Sequence, residues 1–151
     1  MQEEVIQVIE AAMYKETAAR AIYEAGIQKS SNAGAQALMK ELAEDEKSHM
    51  KMLEEFKDKG WKDNQWNSEE INDLKISEYL TGSDKLEDAS LQDTLVFAMK
   101  REQQAVEFYS RLMKAVRTAD AKELCERLVH EELKHKRKLE LLYDELFYVE
   151  H

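Results

Sequence analysis

Six side chains have the types and spacing to do chemistry together. Glu46 and His49 lie three positions apart, and so do Glu132 and His135. On a helix that spacing puts a carboxylate and an imidazole on one face. Glu16 and Glu102 each stand thirty residues ahead of one of these pairs, far enough to sit on a separate helix. Oxygen and nitrogen donors without sulfur suit iron or manganese, and zinc is a substitute. Four carboxylates gathered inside a fold would repel one another and resist burial. Two divalent cations would balance them. The chemistry to expect is a two-metal carboxylate site ligated by Glu16, Glu46, His49, Glu102, Glu132 and His135.

An internal repeat supports treating the six as one set. Ala12-Met13-Tyr14-Lys15-Glu16 matches Ala98-Met99-Lys100-Arg101-Glu102, an offset of 102 − 16 = 86. Leu42, Glu46, His49 and Leu53 match Leu128, Glu132, His135 and Leu139 at the same offset. A duplicated helix hairpin folding back on itself gives a pseudo-two-fold axis on which two metals can sit.

The elements that must carry these residues read as four long helices. The first runs from about Gln2 to Gln28, with Ile6, Ile9, Met13, Tyr23 and Ile27 along one row. Asn32 caps the second, which stops at Gly60; Ser90 caps the third; the fourth starts near Thr118. Glu16 and Glu102 fall in the apolar rows, as do both Glu-x-x-His pairs, flanked by Leu42 and Leu53 or by Leu128 and Leu139. The predicted fold class is all-α: a single domain over 1–151, with hairpins at about 2–59 and 90–148. A crossover over 61–89 joins them, with a short helix from Glu69 to Leu80. Two hairpins joined by one long crossover make the ferritin-like four-helix topology. Trp61 and Trp66, at the start of the crossover, are read as rings covering the bundle end.

Composition narrows the function classes. The chain has no proline and only four glycines, which favours helix. With 32 acidic and 22 basic residues the formal charge is −10, which argues against nucleic acid or an anionic membrane surface as partner. One cysteine, Cys125, permits no internal disulfide and no CxxC metal knuckle; it reads as a small apolar filler. No stretch approaches the ~20 apolar residues of a membrane span, and the acidic start lacks the pattern of a signal peptide. A reducing cytoplasm is the expected location.

One Glu from each of two helices with Glu-x-x-His from the other two is the di-iron carboxylate pattern. At Glu44-Asp45-Glu46-Lys47-Ser48-His49 and His130-Glu131-Glu132-Leu133-Lys134-His135 the chain resembles the rubrerythrins, within the ferritin-like di-iron proteins. The resemblance covers nearly the whole chain. It implies two iron ions, with Glu16 and Glu102 mainly terminal ligands, Glu46 and Glu132 bridging, and one histidine on each iron. Two features depart from the family pattern. The four-cysteine rubredoxin domain is missing, so electrons would come from an external donor such as a rubredoxin or a flavoprotein. Ala105 stands where rubrerythrins carry a further Glu, which makes the ligand set more symmetric, closer to that of bacterioferritin.

Other residues take supporting readings. Asp45 and Glu131 are either acceptors for the outer N–H of a histidine across the bundle or surface carboxylates. Tyr23 and Tyr109, two turns beyond Glu16 and Glu102, are candidate catalytic residues that hydrogen-bond to the ligands or supply an electron; the alternative is packing with buried hydroxyls. Glu107 is read as solvated, and His130 and His151 receive no metal role. The leading functional expectation is an oxidoreductase, a peroxidase or oxidase. It would reduce hydrogen peroxide or dioxygen in oxidative-stress defence, as a homodimer. The alternatives are a ferroxidase or iron-storage protein of ferritin or bacterioferritin type, and a non-catalytic metal-binding bundle.

Overall fold

The structure, a computed structural model, describes residues 2–59, 66–74, 76–80 and 89–148. Four long helices dominate it: α1 (Gln2–Lys29), α2 (Ala33–Asp58), α5 (Leu91–Ala115) and α6 (Ala119–Phe147). Two short ones, α3 (Ser68–Asn72) and α4 (Ile76–Leu80), lie in the crossover. The caps at Asn32 and Ser90 fall where the sequence places them, and the fourth helix starts beside Thr118 as expected. Asn32, Ser90 and Thr118 accept side-chain hydrogen bonds from the amides of Ala35, Asp93 and Ala121, pairing donors that an open helix end leaves orphaned. α2 ends at Asp58; Gly60 and Trp61 lie outside the described residues, as does His151.

The crossover corrects one expectation. In place of a single helix from Glu69 to Leu80 there are two separate turns of helix. The first is capped by Asn67, whose side chain accepts from the Glu69 and Glu70 amides. Asn72 and Asp73 then end it, because short polar side chains compete for backbone groups in a helix interior. Trp66 is buried and meets Phe56 edge-on, ring centroids 6.1 Å apart, closing one end of the bundle.

Three-residue connections, Ser30–Asn32 and Val116–Thr118, fold α1 against α2 and α5 against α6 as hairpins. α1 of the first hairpin faces α5 of the second, α2 faces α6, and α3 and α4 cover the α5 and α1 side. No helix among the described residues is long and apolar enough to cross a membrane. The core comes in two blocks. One contains Val8, Ile9, Leu53, Phe108, Leu112 and Leu128; the other contains Ile22, Met39, Leu42, Leu95, Leu139 and Leu142. On every long helix the six predicted site residues fall between those two blocks. A polar layer is therefore sandwiched between apolar ones, out of reach of bulk water.

Candidate metal centre

Glu16, Glu46, His49, Glu102, Glu132 and His135 are each at most 2 % exposed. The periodicity explains why: each occupies a core-facing position of its helix, with apolar residues flanking Glu16, Glu102 and each Glu-x-x-His pair. The structure brings all six together. One quartet of donor atoms comes from Glu16, Glu46, His49 and Glu132, the other from Glu46, Glu102, Glu132 and His135. Within each quartet the atoms lie within 4.8 Å of one another. Glu46 and Glu132 belong to both quartets, and the two imidazole rings lie nearly parallel with centroids 5.6 Å apart.

Each histidine points Nδ1 inward and Nε2 outward. His135 Nδ1 lies 2.9 Å from Glu46 Oε1 and 3.4 Å from Glu132 Oε1; His49 Nδ1 lies 3.0 Å from Glu132 Oε1 and 3.5 Å from Glu16 Oε2. On the outer side Nε2 of His49 meets Glu131 Oε2 at 2.7 Å, and Nε2 of His135 meets Asp45 Oδ2 at 3.0 Å. A carboxylate behind an imidazole fixes the proton on the outer nitrogen and leaves the inner lone pair for a cation. Each bond runs between α2 and α6, so each hairpin orients the other's histidine.

The tyrosines cross over in the same way. Tyr109 on α5 donates to Glu16 Oε1 of α1 at 2.6 Å, and Tyr23 on α1 donates to Glu102 Oε1 of α5. Each holds one oxygen of a carboxylate and leaves the other facing the cluster. Both hydroxyls stay protonated well above the usual phenol range, because burial opposes ionisation; Glu102 adds to the effect at Tyr23.

The electrostatics of the layer show the need for positive charge. Burial, reinforced by Glu132, pushes the Glu102 carboxyl up to about 8. Burial alone would lower both histidines, but the surrounding carboxylates outweigh it. Glu132 and Glu46 raise His49 to about 11, and Glu102, Glu132 and Glu46 raise His135 to about 12. Protons are thus drawn in where cations would otherwise serve. Glu16 Oε2, Glu46 Oε2, His49 Nδ1, Glu102 Oε2 and Glu132 Oε1 are all buried without a hydrogen-bond partner. A native fold seldom leaves so many buried polar atoms unpaired unless something else binds them. They converge on the two quartets, carry the right donor types for a hard or borderline cation, and fit a pair of metal ions.

Residues 9–143 match the Rubrerythrin family. The chain belongs to that family. No curated protein sequence matches it. Among solved structures, a two-domain protein from Anabaena variabilis with DJ-1/ThiJ/PfpI-like and ferritin-like domains superposes with a TM-score of 0.72 at 17 % identity. The superposition covers 99 % of this chain and 42 % of that one. A likeness at that identity shows the fold, which is ferritin-like, as the topology of this rubrerythrin-family chain suggests.

Of the residues given no metal role, Glu107 and His130 are exposed. Cys125 is buried in an apolar block, its thiol pushed up to about 12 by burial. Two further residues went unnoticed in the sequence. Lys15 and Arg101, each preceding a site glutamate, are 4 % and 8 % exposed. Burial, then the Arg101 charge, lowers Lys15 to about 8. Their repeat-related positions are visible, but a residue next to a site glutamate reads as a helix flank. Nothing in the sequence says that α4 covers that flank.

Proposed function

We propose that this rubrerythrin-family protein is a di-iron redox protein that reduces hydrogen peroxide, or dioxygen, with electrons from an external donor. The observation that carries the reading is the pair of buried donor quartets sharing Glu46 and Glu132. Glu16 and His49 would hold one iron, Glu102 and His135 the other, with Glu46 and Glu132 between them. When bound, ferrous iron would supply two electrons and the Lewis acidity that polarises an O–O bond. Hydrogen peroxide takes up two electrons and two protons, its O–O bond breaks, and two waters leave. A donor protein returns the electrons.

The chain's own groups set the conditions for this. Asp45 and Glu131 hold the imidazoles in one orientation and one protonation state. Tyr23 and Tyr109 keep their protons beside the ligand oxygens, where a proton is needed as oxygen is reduced. The apolar blocks above and below exclude water, so these dipoles act at low dielectric.

Anaerobic titration with ferrous iron, followed by separate mixing with peroxide and dioxygen under absorbance detection, tests the reading. We expect about two irons per chain, as the donor sets require, and faster oxidation by peroxide. A preference for dioxygen with growth of a mineral core would refute it in favour of iron storage. Absence of iron uptake would remove the metal reading altogether.

A further inference from the structure

Lys15 Nζ is buried without a hydrogen-bond partner, on the same side of the polar layer as the Arg101 guanidinium. Both line a small, partly enclosed cavity of about 10 Å³ together with Tyr79, Glu16, Glu102 and Glu132. The ammonium lies 5.4 Å from the centre of the Tyr79 ring, and Tyr79 is itself stacked on Phe108. The ring contributes a cation–π contact, yet the three N–H donors of the ammonium remain unused. An ammonium in that position is costly unless an acceptor joins it.

From this geometry we infer that the cavity is a small-anion subsite, built on Lys15 and Arg101, for the anionic form of the oxidant: a hydroperoxide-sized ligand. The inference rests on the two-metal reading and deepens it. With two divalent cations balancing the four glutamates, the α1–α5 side of the layer carries two buried cationic side chains. The α2–α6 side carries carboxylates instead, Asp45 and Glu131, behind the histidines. An anion is drawn to the first side and repelled from the second. The cavity holds roughly one water-sized group, so one end of a slender ligand fits against Lys15 while its other end points toward Glu16, Glu102 and Glu132. An organic substrate or a tetrahedral oxyanion does not fit. The pairing is built into the repeat, because Lys15 and Arg101 occupy equivalent positions.

The test uses azide, a linear anion no wider than water, with sulfate as the bulky control. Zinc-loaded protein is titrated by calorimetry after its metal content has been measured. Wild type should bind azide and ignore sulfate. Lys15→Met, which keeps the length of the stem, should bind azide about ten- to a hundred-fold more weakly, the loss of one charged hydrogen bond. Lys15→Arg should recover most of the binding at the same metal content. Should Lys15→Met fail to fold, Arg101→Gln replaces it, with the same expected direction. Equal azide affinity in wild type and variant, both carrying two ions, would overturn the subsite alone. Sulfate binding as tight as azide binding would do the same. A wild-type chain that takes up no zinc or iron overturns the metal reading, and the subsite with it.

Discussion

Replacing Glu102 with glutamine should stabilise the metal-free protein and weaken the metal-loaded one. In the metal-free fold burial raises Glu102 from 4.5 to about 8. A carboxyl whose folded pKa is raised binds its proton more tightly in the folded state. Its contribution is complete below the unfolded value of 4.5 and is lost as pH rises through 8. At pH 7, with one pKa unit equal to 1.36 kcal/mol, the forfeited share is about 3 kcal/mol. Glutamine has nearly the same shape, still accepts from Tyr23, and has no proton to regain. For a chain of this size about 3 kcal/mol corresponds to a rise in Tm of roughly 6–12 °C. At pH 4 the gain should vanish.

With metal present the sign reverses. An ion at a hundred times its Kd stabilises the fold by about 2.7 kcal/mol. Glu102 belongs to one quartet only, so the variant should lose about one ion's share, roughly 5–11 °C of the metal-induced shift. Melting curves by circular dichroism check both arms, with zinc or a chelator, at pH 4 and pH 7. A Glu102→Gln variant that is less stable than wild type without metal at pH 7, or that keeps the full metal-induced shift, would refute the reasoning.

Glu46 takes part in both quartets and His135 in one. Metal analysis should therefore find Glu46→Ala nearly empty and His135→Ala at about half content, with helicity unchanged in both. Asp45→Ala and Glu131→Ala remove only the carboxylates behind the imidazoles. Both should saturate normally, but competition with a chelator should show affinity reduced about 10–100-fold. Cys125, with its thiol raised to about 12 by burial, should resist a disulfide reagent at pH 8 in the folded protein and react at once after denaturation. Rapid labelling of the native chain would show that the apolar block around it opens.

The buried cluster of six donors was legible because two independent regularities met at the same residues. Helical periodicity put Glu16, Glu46, His49, Glu102, Glu132 and His135 on core faces, and the repeat showed that the set occurs twice. The caps at Asn32 and Ser90 were legible for a local reason, since a capping side chain reaches only two or three residues along its own chain. The crossover was less so. Asn67 competes with Ser68 as a cap, and Asn72-Asp73 interrupts a segment whose apolar pattern alone would continue to Leu80. Partnerships between helices were only partly legible. A carboxylate behind each histidine was one of two readings of Asp45 and Glu131, and the structure shows both contacts. The tyrosine partners could not be assigned. Periodicity tells which way Tyr109 points, but not that it meets Glu16 on α1 rather than Glu102 on its own helix.

The cross-hairpin pairing has a consequence for how the site is held. Tyr109 binds Glu16, Tyr23 binds Glu102, Glu131 binds His49 and Asp45 binds His135, and every one of these contacts joins one hairpin to the other. A hairpin alone therefore holds three of the four donors of one quartet, and lacks the partners that orient them. Repulsion among the four carboxylates opposes docking of the hairpins, while these four hydrogen bonds and the two apolar blocks favour it. A cation that binds the docked form more tightly, because the other hairpin completes each quartet, would shift that balance. Metal affinity and docking stability are thus one coupled quantity, and a change at Tyr109 or Asp45, neither of them among the clustered donors, acts on both.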